Sequence, residues 1–238
     1  MNNNSYKEFS RYYDLYTSFV DYEIWRDYLL SLSNKDCTGR NILDLGCGNG
    51  NLLLYFSDIT KANLYGVDLS EEMLSLADQN AFYENKQINL IKADMTNFMT
   101  DIKFDLIYSA CDSINYIMNE DELRIMFNNI INMMNENCIF TFDIISPNYK
   151  SKDETLKYEN ISFEIKRKKT TNLLYTDIEI FENNRQITKI SHKQKIYTTE
   201  NIKIIAKNAG FKNIDFYDFL TKKQPDKKSD KIQVVLST

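Results

Sequence analysis

The sequence predicts an α/β fold: a seven-stranded, mostly parallel sheet with a small antiparallel β insert after strand five. Three observations carry that expectation. Short apolar segments alternate with helical ones across residues 41–142, the pattern of a parallel sheet covered on both faces. Three of the six glycines, Gly46, Gly48 and Gly50, fall within five residues between a strand and a helix. After Pro147 the helical period gives way to alternation, which marks antiparallel strands.

The elements follow in order. Residues 6–32 read as helical, with Phe9, Tyr12, Tyr13, Tyr16, Phe19 and Val20, then Ile24, Trp25, Tyr28, Leu29 and Leu32, at gaps of three and four. A polar connection runs from Ser33 to Arg40. Asn41–Leu45 is a buried strand, followed by the glycine loop and a helix over Asn51–Phe56. Leu64–Val67 is the second strand. Ser70 caps the next helix, with Glu71 and Glu72 in its first turn, where the helix dipole favours acids. Ile88–Lys92 and Phe104–Tyr108 are strands three and four, Glu120–Met134 is a helix, and Cys138–Phe142 is strand five. Within 158–197, Ile161, Phe163 and Ile165, then Leu174, Thr176, Ile178 and Ile180, alternate around an Asn183-Asn184 turn. Thr198 or Thr199 opens a last helix that Gly210 stops. Ile214–Leu220 and Ile232–Leu236 complete the sheet. The domain reading is a core of residues 1–147 and 198–238 with residues 148–197 inserted.

Composition narrows the function. The chain of 238 residues is 43% hydrophobic and carries a net charge of −5. That balance disfavours nucleic acid as a partner. Four cysteines, Cys37, Cys47, Cys111 and Cys138, lack CxxC spacing, and His192 is the only histidine. This argues against a zinc site and suits a reducing compartment. Met1 to Ser5 is polar, and no apolar run approaches the roughly 18 residues a membrane span needs. The expectation is a cytoplasmic protein, monomer or homodimer, with no membrane partner and no metal.

The motif that carries chemistry is Asp44-Leu45-Gly46-Cys47-Gly48-Asn49-Gly50. Glycines at a strand-to-helix turn let a ligand approach the backbone. The spacing is G-x-G-x-G, and the sixth position is Asn51, which weakens a nicotinamide or flavin reading. Asp68 ends strand two, 22 residues after Gly46, where a carboxylate accepts hydrogen bonds from ribose hydroxyls. Asp94 ends strand three, beside Met95, where an adenine amino group can donate to it. Asp44, Asp68, Asp94 and the segment after strand four share the carboxyl edge of the sheet, where open α/β folds bind ligands.

With these residues in place, the sequence resembles the class I S-adenosylmethionine-dependent methyltransferases, which have a Rossmann-like core. "ILDLGCGNG", "YGVDLSEEML", "LIKADMTNF" and "FDLIYSACDSINYI" resemble their four successive motifs. The resemblance implies that S-adenosylmethionine is the cofactor and S-adenosylhomocysteine the product. It places Gly46, Gly48 and Gly50 under the methionine moiety, with Asp44 at its amino group. It gives the ribose to Asp68 and the adenine to Asp94 and Met95. Ala110, Cys111 and Ser113 then flank the sulfonium, and Cys47, Leu69 and Met73 complete the cofactor set. "FSRYYDLY", "DSINYI" and "SHKQKIYTTENI" resemble small-molecule methyltransferases, amino-sugar N,N-dimethyltransferases among them, whose β insert lines the acceptor pocket. A usual glycine turn before strand five is here Met134-Asn135-Glu136-Asn137-Cys138, and asparagine tolerates positive φ.

The implied reaction is methyl transfer to N or O of a small molecule, with an amino sugar or nucleotide-linked sugar as candidates. Enzymes of this kind align the reactants and exclude water. Tyr13 and Tyr116 are candidates for cation–π contact with the sulfonium, or core tyrosines. His192 is a candidate base, or a structural histidine. Lys166-Arg167-Lys168-Lys169, with His192, Lys193 and Lys195 on a neighbouring strand, reads either as a phosphate rim or as a charged edge strand. Rival readings are a nucleic-acid or protein methyltransferase, a non-catalytic cofactor-binding protein, and a dinucleotide dehydrogenase.

Overall fold

A computed structural model describes residues 8–33, 39–58 and 61–238. The seven-stranded sheet is built from β1 (Asn41–Leu45), β2 (Asn63–Asp68), β3 (Asn89–Lys92), β4 (Phe104–Ser109), β5 (Met134–Ile145), β10 (Asn213–Asp218) and β11 (Lys231–Ser237). Its order is β10-β11-β5-β4-β1-β2-β3. The pairs among β1 to β5 are parallel, whereas β11 runs antiparallel to both β5 and β10. Ile42 and Leu43 are fully buried on opposite faces, as expected of a strand covered on both sides.

The helices are α1 (Tyr13–Tyr16), α2 (Tyr22–Ser33), α3 (Asn51–Ser57), α4 (Glu71–Tyr83), α5 (Glu120–Met133) and α6 (Thr199–Ala209). Leu123, Met126, Phe127 and Ile130 of α5, with Ile202 and Ala206 of α6, pack on Leu43, Ile107, Phe140 and Val234. Trp25, Tyr28 and Leu29 of α2, with Leu53 and Phe56 of α3, cover Ile42, Leu64 and Leu106 on the other face. Ser70 caps α4 by accepting from the Met73 amide, and Thr198 forms a full capping box on α6, which ends at Gly210 with φ 109°.

The helix expected over 6–32 is broken, and its first two residues lie outside the described part, as do Met1 to Ser5, Cys37 and most of the 33–40 connection. The chain bends between α1 and α2, and Asp21 accepts from the Ile24 amide at the new start. The reason is that one apolar face serves two cores. Phe9, Tyr13 and Tyr16 pack against the insert, whereas Trp25, Tyr28 and Leu29 pack against the main sheet.

The insert is a four-stranded antiparallel sheet, in order β6 (Glu154–Tyr158), β7 (Ile161–Lys169), β8 (Leu173–Glu182) and β9 (Arg185–Lys195). Asn183 and Asn184 both take positive φ, 49° and 63°, the twist-matched hairpin turn. Asn137 also has positive φ, 61°. It sits within the longer β5, beside a register shift against β4, and makes no separate turn.

Gly66 lies inside β2, where an added Cβ would stand 2.8 Å from both Cys47 Sγ and Leu53 Cδ1. Gly66→Ala therefore overpacks the contact between loop, helix and strand. It should lower unfolding stability by about 1–3 kcal/mol, read as a lower urea midpoint with an unchanged denaturant slope.

Candidate active site

The glycine loop follows β1 and lies on the end of β2. The Gly46 and Cys47 amides both donate to the Val67 carbonyl, at 2.8 and 3.0 Å. Gly46 has φ 82°, and a Cβ there would meet Ser113 at 3.0 Å, so the turn needs glycine for conformation and for space. The Gly48 amide donates to Asp68 Oδ2 and the Ser70 amide to Asp68 Oδ1, each at 2.8 Å. Backbone amides on both oxygens aim the carboxylate and leave lone pairs for a ligand.

A cavity of about 1420 Å³ opens above this edge. The expected cofactor residues Asp44, Gly46, Cys47, Gly48, Asp68, Leu69, Met73, Asp94, Met95, Ala110, Cys111 and Ser113 all line it. Gly50 does not: it packs under α4, where a Cβ would sit 3.0 Å from the Ala77 Cβ. The Cys47 thiol donates toward the Gly48 carbonyl and its side chain belongs to the core. Asp94 is exposed and accepts from the Thr96 amide and hydroxyl at 2.9 and 2.7 Å.

Asp44 is 2% exposed and its Oδ1 has no hydrogen-bond partner. Burial pushes its carboxyl well above the usual range. Asp44 lines the cavity next to the Tyr108 hydroxyl, and a ligand's ammonium there would offset the cost of its burial. Burial also raises Asp68, against the hydrogen bonds from Ser70 and Gly48.

The other half of the cavity is walled by the inner face of the insert and by the N-terminal segment. Across β7, β8 and β9, Arg167, Thr176 and His192 stand in one row, and Leu174 and Gln194 in the next. Two of the three candidate catalytic residues meet: the Tyr116 hydroxyl lies 2.9 Å from His192 Nδ1. Phe9 stands edge-on to the rings of His192, Tyr13 and Tyr16. Burial lowers the His192 pKa and holds the ring neutral, against the pull of Asp112. Tyr13 reaches over the loop, its hydroxyl 3.9 Å from a Cβ placed on Gly48. Asn49 and Asn51 donate to Asp14 and tie this segment to the loop.

The basic run does not form a rim. Lys166 and Lys168 point to solvent, and Lys169 donates to the Pro147 and Tyr149 carbonyls. Lys193 is exposed and Lys195 pairs with Glu120. Strand β8 separates the two basic segments, so only Arg167 enters the cavity, 3.2 Å from Glu154.

The sequence reading passed over Asp112, Gln194 and Lys231. Asp112 follows Cys111, both at positive φ (50° and 56°). Its carboxylate accepts from Lys231 Nζ at 2.5 Å and from Gln194, and its amide donates to Asp143. Asp112 lay within a motif already quoted, and Gln194 lies two residues from His192 on an alternating strand. Lys231 carried no local signal: an antiparallel strand begins where its parallel neighbours end, which brings its first residue to the site.

Comparison with known proteins places this geometry. Residues 42–137 match a family model described as a methyltransferase domain. A carboxy-S-adenosyl-L-methionine synthase of Campylobacter concisus (strain 13826) is 30% identical over 73% of this chain and 70% of its own. A protein of Geobacillus sp. (strain WCH70), named as a methyltransferase, is 31% identical over 60% of this chain, and the match spans 58% of that relative's length. An S-adenosylmethionine-dependent methyltransferase from Clostridium acetobutylicum ATCC 824 superposes with a TM-score of 0.83 at 28% identity, covering 98% of both chains. The sugar N-methyltransferase KedS8 of Streptoalloteichus sp. ATCC 53650 shares the fold, with a TM-score of 0.77 at 16% identity over 95% of this chain and 93% of its own. The chain belongs to the class I S-adenosylmethionine-dependent methyltransferases.

Among the described residues, no helix is long and apolar enough to cross a membrane, and no group of three or more His, Cys, Asp or Glu is placed to hold a metal ion. Cys47 and Cys111 are free thiols.

Two outcomes follow. Asp68→Ala removes both a carboxylate on the cavity wall and the anchor of the Gly48 amide. It should weaken S-adenosylhomocysteine binding, measured by calorimetry, on the order of 10²-fold. The His192 pKa lies below its unfolded value of 6.5, so the unfolded chain takes up the proton first as pH falls. The contribution to stability is whole above about 6.5 and is lost as pH drops through the folded value. His192→Gln should reduce the loss of stability between about pH 7.5 and 5.5 in urea unfolding.

Proposed function

We propose that this protein transfers a methyl group from S-adenosylmethionine to a nitrogen or oxygen of a small molecule. The observation that carries this reading is one continuous cavity with two chemically distinct halves. One holds the glycine loop, Asp44, Asp68 and Asp94, and the other the Tyr116–His192 pair under the insert. The bound cofactor supplies a methyl group on a positively charged sulfur.

The chain's own residues then have three tasks. Asp44, Asp68 and the loop amides bind and orient. Tyr13 and Tyr116 place aromatic faces where a cation is stabilised by the ring quadrupole. The insert and the segment around Phe9 and Tyr16 shield the acceptor from water, which aligns the nucleophile and keeps the methyl group from hydrolysis. His192, neutral and hydrogen-bonded to Tyr116, is positioned to take the acceptor's proton.

A recess walled by the sheet edge, the insert and the N-terminal segment suits a small acceptor better than a polymer. The sugar N-methyltransferase KedS8 shares the fold, which supports amino sugars as a first class to screen. Incubating the protein with S-adenosylmethionine and panels of amines, amino sugars and alcohols, with S-adenosylhomocysteine release as the readout, tests the reading. Turnover with a member of the panel is expected. His192→Ala should lower that rate on the order of 10²-fold and leave S-adenosylhomocysteine binding intact. Release at the acceptor-free rate with every compound would sink the proposal.

A further inference from the structure

The charges of the cavity are one-sided. Carboxylate residues outnumber cations nine to three along its wall, and each of the three cations is already paired. Lys92 meets Glu71 at 2.5 Å, Arg167 meets Glu154 at 3.2 Å, and Lys231 meets Asp112 and Asp143 at 2.5 and 2.9 Å. No cation on the wall is left for a phosphate or carboxylate of an acceptor, which would enter a field of its own sign.

At the inner end of the acceptor half, Asp112, Asp143 and Lys231 form one group. Lys231 Nζ bridges the two carboxylates, and the Asp112 amide donates to Asp143 Oδ2 at 3.1 Å. Two carboxyl groups face one ammonium, and burial raises that of Asp143 against the pull of Lys231. Asp143 is 1% exposed and lies behind the wall, whereas Asp112 is on it. Asp112 is next to Ser113, which packs beneath Gly46, so the group stands at the junction of the two halves. Its charge acts on His192, Tyr16 and Tyr149 around the acceptor space. Lys231 holds Asp112 Oδ1 and Gln194 Nε2 holds Oδ2. A carboxylate accepts about four hydrogen bonds, so positions remain for a ligand.

We propose that Asp112 is a catalytic residue that binds the acceptor nitrogen, that the acceptor is therefore an amine, and that Lys231 and Gln194 are positioning residues for its carboxylate. The inference rests on the proposed function and narrows it. In the transfer, the lone pair of a neutral amine forms the C–N bond as the C–S bond breaks, and the sulfur keeps that electron pair. The positive charge thereby moves from sulfur to nitrogen, and the methylated product leaves as an ammonium ion or sheds a proton to His192 or water. A preorganised negative group on the nitrogen side favours that displacement of charge. An alcohol gains nothing comparable, because its oxygen loses a proton during attack and leaves no positive charge for Asp112 to hold.

The test is binding, read apart from turnover. Protein saturated with S-adenosylhomocysteine is titrated by calorimetry with matched pairs: glucosamine and glucose, ethanolamine and ethylene glycol, benzylamine and benzyl alcohol. The wild type should bind at least one amine about tenfold or more tighter than its alcohol partner, a difference of roughly 1.4 kcal/mol. Asp112→Asn keeps the shape, and asparagine tolerates positive φ, so the preference should vanish while S-adenosylhomocysteine affinity stays within about twofold. Lys231→Met and Gln194→Leu should weaken the preference and Lys231→Arg should restore it, an outcome that a merely structural lysine would not give. Equal binding of amine and alcohol in every pair, or a preference that survives in Asp112→Asn, overturns the assignment. Wild-type protein that fails to bind S-adenosylhomocysteine at the outset overturns the proposed function instead, before any amine is added.

Discussion

Two backbone amides hold the Asp68 carboxylate, one from the glycine loop and one from the cap of α4, and the site is arranged around that contact. Loop amides on a sheet edge would otherwise need water or a ligand to satisfy them. Here β2 supplies the partners: the Val67 carbonyl takes the first two amides of the turn and the Asp68 carboxylate takes the third. The loop is thereby laid flat on the strand end, with Gly46 over Ser113 and Gly48 beside Met73 and Tyr13. Asp44 is left buried on the cavity wall, a costly place for a charge that protonation or a cationic partner offsets.

The second half of the site depends on a division of labour within the N-terminal segment. Its aromatic residues before the bend close the insert sheet, and those after it close the main sheet. Asp14 joins the two by accepting from Asn49 and Asn51. The N-terminal wall of the cavity and the glycine loop are thus connected through one carboxylate. The insert contributes a flat inner face on which Arg167, Thr176 and His192 line up across three strands.

Local signals made most of the fold legible. The Ser70 cap, the Asn183-Asn184 turn, the Gly210 stop and the strands of the main sheet are each set by a few neighbouring residues and stand where periodicity and turn chemistry put them, except that β5 extends over the expected turn to run Met134–Ile145. The residues proposed for the cofactor half were legible for the same reason, since each occupies a strand end or the loop. What the sequence concealed was non-local. One apolar period over residues 9–32 gave no sign that it serves two cores. The basic run looked like one patch, yet alternation sends its members to opposite faces and β8 intervenes. Tyr116 and His192 are 76 residues apart, and Asp112 and Lys231 are 119 apart. Such pairings exist only once the strand order is known.

The antiparallel placement of β11 has a further consequence. In a purely parallel sheet, residues at the binding edge come from strand ends and the loops after them, so changing one also disturbs a turn. Lys231 comes from a strand start, with its neighbours laddered to β5 on one side and to β10 on the other. Its backbone is fixed independently of the loops that shape the cavity. The position is a socket in which charge can be exchanged without rebuilding the surrounding architecture. A lineage with this fold can change the charge of that part of the wall by single substitutions there, while the glycine loop goes on unchanged.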